Sequence, residues 1–81
     1  MHAISTYTII RLEQIQRVVD ASERIHGIIE WCYSTFGTQD FIVSDQCFWN
    51  KNDAIKPIPR VLFFTQSEDY LIFKLKYGYN E

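Results

Sequence analysis

Residues 59–78 read PRVLFFTQSEDYLIFKLKYG, and this stretch decides the fold. It contains a continuous apolar run from Val61 to Phe64, which is typical of a strand covered on both faces. Pro59 can stand at the entrance of that strand, because the first residue of a strand need not donate a ladder hydrogen bond. The stretch therefore predicts a buried strand that leads directly into a terminal helix.

The terminal helix carries a start signal and a stop signal. Ser67 is predicted to cap its start, and Gly78 is predicted to end it because glycine adopts the left-handed conformation at little cost. Acidic residues occupy the first turn and basic residues the last, as the helix dipole favours. These charged residues are Glu68, Asp69, Lys74 and Lys76.

The same helix is apolar on two opposite faces. The aliphatic face consists of Leu71, Ile72 and Leu75. The aromatic face consists of Tyr70, Phe73 and Tyr77. One face can fill a core, whereas the aromatic face has nothing obvious to bury against in a chain of 81 residues. The alternative is a helix that lies in a groove, with both faces internal.

Composition predicts one small folded domain. Hydrophobic residues make up 47% of the chain and aromatic residues 16%, which is enough to build a core in 81 residues. The net charge is −2, and no long run of one sign occurs. The chain therefore lacks the basic field expected of a protein that binds nucleic acid through its phosphates.

The cellular setting is predicted from what the sequence lacks. No apolar run approaches the roughly 20 residues of a membrane helix, and residues 1–5 lack the form of a secretory signal. A cytosolic setting is the default expectation. Cys32 and Cys47 are then interpreted as reduced and at least partly buried, and a single disulfide is the alternative.

The N-terminal segment is rich in β-branched and aromatic residues from Thr6 to Leu12, which predicts a strand. Residues 13–19 fit two patterns. Alternation favours a continuation of the strand, with a change of face near Glu13 that requires a bulge. Helical spacing favours the alternative, one helix from Leu12 through Thr35.

A central helix is predicted from a capping box, Asp20 to Glu23, to about Thr35, with Gly37 as the stop. Its buried stripe is predicted to comprise Ala21, Ile25, Ile28, Ile29, Cys32 and Phe36. Gly27 lies in the middle of this helix, where it costs about 1 kcal/mol relative to alanine. Close packing against a neighbour would explain this glycine, and simple tolerance would explain it equally well.

A further strand is predicted to start at residues 41–43 and to resume at residues 47–49, with a bulge or tight turn at residues 44–46 between the two parts. A polar loop follows over residues 50–57. The predicted fold class is α+β: a single domain over residues 1–81 with the order β-α-β-β-α. Two helices pack on a mostly antiparallel three-stranded sheet.

Two motifs carry a family resemblance. Residues 30–37 read EWCYSTFG, and the C-terminal region combines Phe63-Phe64, the acidic pair Glu68-Asp69 and residues 73–78, FKLKYG. Together they resemble small uncharacterised proteins of T4-like tailed bacteriophages, over about a third of the chain. The resemblance implies a phage gene product made in the host bacterial cytoplasm, as a virion component or a host-directed accessory protein. It brings no catalytic residues with it.

The sequence offers little support for a metal site or a catalytic site. His2, His26, Cys32 and Cys47 are the candidate metal ligands, but they lack the spacing of known metal motifs. Nothing in the sequence places Cys47 beside His26 as a catalytic pair. We therefore expect no enzymatic activity, no metal and no cofactor.

The leading hypothesis is protein–protein contact, because tyrosine and tryptophan are enriched among interface anchors. The predicted partner-binding residues are Tyr70, Phe73, Tyr77, Trp31, Trp49 and Tyr79. The partner would be a host protein, a virion component or a second copy in a homodimer. The alternative is a nucleic-acid accessory role for a loop that carries Lys51, Lys56 and Arg60, with Trp49 as a stacking platform.

Overall fold

The computed structural model describes residues 2–44, 46–47 and 58–79. In chain order its elements are β1 (His2–Ser5), α1 (Thr6–Leu12), α2 (Val18–Asp40), β2 (Phe41–Val43), β3 (Gln46–Cys47), β4 (Ile58–Pro59), β5 (Val61–Phe64) and α3 (Ser67–Tyr77). The predicted α+β class with an antiparallel three-stranded sheet is confirmed. Parts of the predicted turn at 44–46 and strand at 47–49, and the loop at 50–57, lie outside the described residues.

The strand predicted at residues 61–64 is the central strand of the sheet. β5 pairs antiparallel with β1 on one side and with β2 on the other. Leu62 and Phe64 are fully buried, whereas Val61 and Phe63 on the opposite face are only partly covered. The predicted strand is therefore present with one face fully and the other partly covered, and the core lies on the side of Leu62 and Phe64.

The strand predicted over Thr6–Leu12 is wrong, because this segment is helix α1. The first strand is instead β1, immediately before it. The Ser5 hydroxyl caps α1 by accepting a hydrogen bond from the backbone N–H of Tyr7. Ile9 and Ile10 are buried three and four positions after the buried Thr6, which is helical spacing. Helix packing thus overrides the β propensity of the individual residues.

Both alternatives for residues 13–19 are also wrong. Glu13 ends α1, and Gln14 has a left-handed backbone with φ of 56°. The next helix begins only at Val18, so the chain turns between two helices. The predicted break near Glu13 is correctly located, but it is a helix end and not a bulge in a long strand.

Helix α2 carries the predicted buried stripe, with Phe36 only partly buried at its end. Its start is not the capping box: Arg17 occupies the N-cap position without a side-chain cap, and Asp20 lies in the first turn. Gly37 interrupts the helical geometry with φ of 79°, as expected of a stop, although three more helical residues follow. A Cβ on Gly27 would meet no atom within 4 Å, so close packing does not explain this glycine.

Aromatic rings form the centre of the core. Phe64 on β5 lies 5.2 Å from Phe41 and 5.0 Å from Phe73 between ring centroids. Phe36 meets the same ring edge-on at 5.9 Å. One central side chain therefore links the sheet, the end of α2 and α3.

The ends of α3 match the sequence signals in part. Gln66 is the N-cap residue and makes no side-chain cap hydrogen bond, so the cap predicted at Ser67 is wrong. Gly78 ends the helix with the predicted left-handed backbone, φ of 72°. Acidic residues in the first turn and basic residues in the last turn are confirmed.

Candidate interaction surface

The aliphatic face of α3 is exposed. Leu75 keeps 80% of its surface accessible, Leu71 57% and Ile72 47%. At about 100° per residue, these three side chains lie within roughly 100° of arc on one side of the helix. The result is a contiguous aliphatic patch on the outside of the folded chain.

The aromatic face of the same helix is turned to the core. Phe73 is fully buried against Phe64, and Tyr70 and Tyr77 are partly buried. The assignment of the two faces that follows from sequence is therefore reversed. Flat rings on α3 fill the space above Phe64. Among the described elements, none covers the aliphatic side chains on the far side of the helix.

The predicted partner-binding residues outside α3 that the structure describes do not lie on the aliphatic face. Trp31 is partly buried and meets the rings of Phe36 and Tyr77 edge-on, each at 5.5 Å. Tyr79 is buried behind the end of α3. As folded, Phe73 and Tyr79 have too little accessible surface to act as anchors for a partner, and Trp49 lies outside the described residues.

Charged residues border the aliphatic face at both ends. Glu68 and Asp69 lie in the first turn of α3, and Lys74 and Lys76 lie in the last. The pKa of the Asp69 carboxyl is raised by partial burial and by the neighbouring carboxylates of Asp40 and Glu68. One end of the patch is therefore distinctly acidic and the other basic.

The two lysines also lie against aromatic rings. The Nζ atom of Lys76 is 5.8 Å from the centroid of the Trp31 ring, and that of Lys74 is 5.2 Å from the Tyr70 ring. Cation–π attraction of this kind is modest at exposed sites, about 0.5–1 kcal/mol. It keeps both ammonium groups beside α3, at the border of the aliphatic face.

The sequence contained one signal that identifies the exposed face. Glu68 precedes Leu71 by three residues and Ile72 by four, so it lies on the same side of the helix. A glutamate in line with an aliphatic stripe indicates a face open to water, because an unpaired carboxylate is rarely buried. The sequence-based prediction therefore missed the exposure of the aliphatic face, although this signal was available.

Cys32 is a free thiol in the core. Burial raises its pKa to about 12, so the thiol stays protonated and is a poor nucleophile near neutral pH. The predicted burial of Cys32 is confirmed, and the side chain of Cys47 lies outside the described part of the structure. Within the part of the chain that the structure describes, no three His, Cys, Asp or Glu side chains lie close enough to hold a metal ion.

The residues of the predicted nucleic-acid loop are described only at one end. Arg60 is exposed, and its backbone N–H donates to the Ser44 hydroxyl at 3.0 Å. Lys51 and Lys56 lie outside the described residues. Among the described helices, none is long and apolar enough to cross a bilayer. The chain matches no known family model, no curated protein sequence and no solved structure.

Proposed function

We propose that this protein acts by protein–protein contact and that the aliphatic face of α3 is its docking surface. The observation that carries the proposal is the exposure of Leu71, Ile72 and Leu75 together, on a helix whose opposite face is anchored in the core. Single exposed aliphatic residues are normal, but a contiguous patch with a charged border is typical of an interaction site.

Energetics favour this role. Fully covering a leucine or isoleucine side chain contributes about 1.5–3 kcal/mol, so three adjacent ones supply a substantial part of a small interface. Because Phe73 holds α3 on the sheet, the face is presented on a preformed helix and little ordering entropy is lost on binding. A partner with an apolar groove or a second amphipathic helix would suit it.

The proposed setting is the one that the phage resemblance implies, a bacterial cytoplasm in which the partner is another polypeptide. The acidic and basic ends of α3 would fix the orientation of that partner, since rim charges contribute more to orientation than to affinity. The contact itself would depend on the aliphatic face and not on the buried rings of Phe73 and Tyr79.

Site-specific photocross-linking tests this proposal. A photoreactive phenylalanine derivative replaces Leu75 in one version of the chain and Leu12 in a matched control. Leu12 is also an exposed leucine, but it lies at the end of α1. We expect irradiation in bacterial cells to give a discrete protein adduct from position 75, not from position 12, and we expect Leu71→Ser to reduce it. Equal adducts from both positions, or none from position 75, would contradict the proposal.

A further inference from the structure

We propose that the aliphatic face of α3 binds the same face of a second copy of this chain, with the two helices antiparallel about a two-fold axis. This rests on the proposed function, because it names the occupant of the same surface. In such an isologous contact one patch must complement itself. The aliphatic side chains complement a second set of aliphatic side chains in any orientation. The arrangement of the charged residues therefore decides how the two helices are oriented.

The centre of the aliphatic face sets the register of the two helices. The middle of the aliphatic face falls between Ile72 and Phe73 along the α3 axis. The midpoint between Asp69 and Lys76 also falls between these two residues. A two-fold axis through the centre of the aliphatic face therefore brings Asp69 of one copy level with Lys76 of the other, and it does so twice.

The two charged residues also lie on the same side of the helix. Asp69 and Lys76 are seven residues apart, which is two turns with a rotation of only about 20°. Both therefore lie along the same flank of the aliphatic face. In an antiparallel two-fold pair, each flank meets the same flank of the other copy running in the opposite direction. The carboxylate and the ammonium then face each other across the contact. Glu68, at the acidic end of the same face, lies level with Tyr77 of the other copy, so the neighbouring Lys76 ammonium also faces this carboxylate and it is not covered without a cation.

Other orientations lack this complementarity. A parallel two-fold pair would bring the flank that carries Asp69 and Lys76 against the opposite flank of the other copy, so neither opposite-charge pair would form. An antiparallel pair also aligns the two helix dipoles favourably. Among the residues that the structure describes, neither Asp69 nor Lys76 belongs to an intramolecular ion pair. Asp69 instead stands near Asp40 and Glu68, and a cation from the second copy would offset that repulsion.

The expected dimer is weak. Three aliphatic residues per copy and two rim ion pairs correspond to the small end of specific interfaces. Sedimentation equilibrium from about 10 µM to about 1 mM covers the affinities that such a contact can reach. We expect the apparent mass to rise from that of one chain, 9.7 kDa, toward twice that value across this range.

Two leucine-to-serine substitutions distinguish a specific contact from nonspecific hydrophobic association. Leu75→Ser removes the most exposed leucine of the aliphatic face, and Leu12→Ser removes an exposed leucine elsewhere. Because the two-fold axis doubles each loss, Leu75→Ser is expected to raise the dissociation constant at least about tenfold. Leu12→Ser is expected to leave it unchanged.

Charge reversal tests the orientation. Asp69→Lys and Lys76→Asp each place like charges together in their own dimers, so each is expected to weaken self-association several-fold, roughly 3–30-fold. An equimolar mixture of the two variants restores both opposite-charge pairs and is expected to associate. The double variant, Asp69→Lys with Lys76→Asp, is also expected to recover dimerisation, which only the antiparallel arrangement predicts. Thermal unfolding confirms that each variant is folded.

Each outcome decides the proposal. A wild-type protein that stays monomeric up to about 1 mM, a dimer insensitive to Leu75→Ser, or a double variant without recovery would overturn it. The photocross-link separates this failure from failure of the proposed function. An adduct at position 75 with a polypeptide of different mass, together with a monomeric purified protein, supports a docking surface and excludes the second copy as its occupant.

Discussion

The Tyr79 hydroxyl donates a hydrogen bond of 2.7 Å to Oε1 of Glu13, although 66 positions separate the two residues. Arg24 binds the same carboxylate through Nη2 at 2.7 Å and through Nε at 2.9 Å. Glu13 ends α1, Arg24 lies in α2 and Tyr79 follows α3. One carboxylate therefore joins all three helices and holds α3 in the orientation that leaves its aliphatic face outside.

Removal of that hydroxyl is expected to weaken the fold. Tyr79→Phe keeps the buried ring and deletes only the hydrogen bond to Glu13, so we expect a loss of about 1 kcal/mol in the free energy of unfolding. Urea denaturation followed by circular dichroism measures it. Tyr7→Phe is the matched control, because Tyr7 is exposed and its change should be within about 0.5 kcal/mol. Equal effects of the two substitutions would show that the Glu13 contact is not stabilising.

The same carboxylate predicts a pH dependence of stability. Burial tends to raise the pKa of Glu13, but hydrogen bonds from Arg24 and Tyr79, together with the charge of Arg24, lower it below its ordinary value. The folded state therefore binds this proton less tightly than the unfolded state. The resulting stabilisation is fully present above the unfolded-state pKa, about 4.3, and is lost as the pH falls through the folded-state value.

Urea midpoints measured between pH 7 and pH 3 test this expectation for the wild type and for Glu13→Gln. Other carboxylates titrate in the same range, so the difference between the two proteins is the relevant quantity. We expect the wild type to be more stable near pH 7 and this advantage to shrink as the pH falls below about 4.3. Parallel curves for the two proteins would exclude a stabilising role for the Glu13 charge.

Gly27 predicts a stabilising substitution. It lies in the interior of α2, and an added Cβ meets no atom within 4 Å. Gly27→Ala should therefore raise the free energy of unfolding by about 1 kcal/mol, because alanine loses less backbone entropy in a helix. Gly78→Ala is the contrasting control: its φ of 72° is left-handed, so alanine there should destabilise. Thermal melts of both variants measure the two shifts, and a destabilising Gly27→Ala would contradict the interpretation.

The parts of the fold that sequence predicts correctly carry several concordant local signals. The stripe of α2 repeats at helical spacing over four turns, and Gly37 and Gly78 supply the backbone conformations that end regular helix. Val61–Phe64 is short, continuous and apolar, which suits the central strand of a sheet. Where period and end signal agree, no information from distant residues is needed.

Helix α1 shows where such local reasoning is insufficient. The residues of Thr6–Leu12 favour a strand individually, and only the spacing of the buried side chains is helical. The decisive contacts are distant: the Thr6 hydroxyl donates to the carbonyl oxygens of Pro59, at 2.9 Å, and Arg60, at 3.0 Å. No local pattern encodes a contact across more than fifty residues, so tertiary structure overrides propensity here.

For a similar reason, the sequence predicts that α3 has a surplus apolar face but not which of its two faces is exposed. Two opposite apolar faces were evident in the sequence of α3, and both have the same helical period. The choice between them depends on the shape of the space above Phe64, which accommodates the ring of Phe73 at 5.0 Å. That space is created by the sheet and by α2, so the helix sequence alone does not specify which face it receives.

The reversal of the two faces yields the most direct prediction. Phe73→Ala deletes a fully buried ring from the centre of the core and should lower the free energy of unfolding by about 3–5 kcal/mol, because the cavity cannot close completely. Leu75→Ala removes an exposed side chain from the same helix and should change it by less than about 0.5 kcal/mol in dilute, monomeric protein. Urea denaturation at low protein concentration measures both values. A large loss from Leu75→Ala with a small loss from Phe73→Ala would mean that the aliphatic face is the buried one. The docking surface would then have to be sought on the aromatic face.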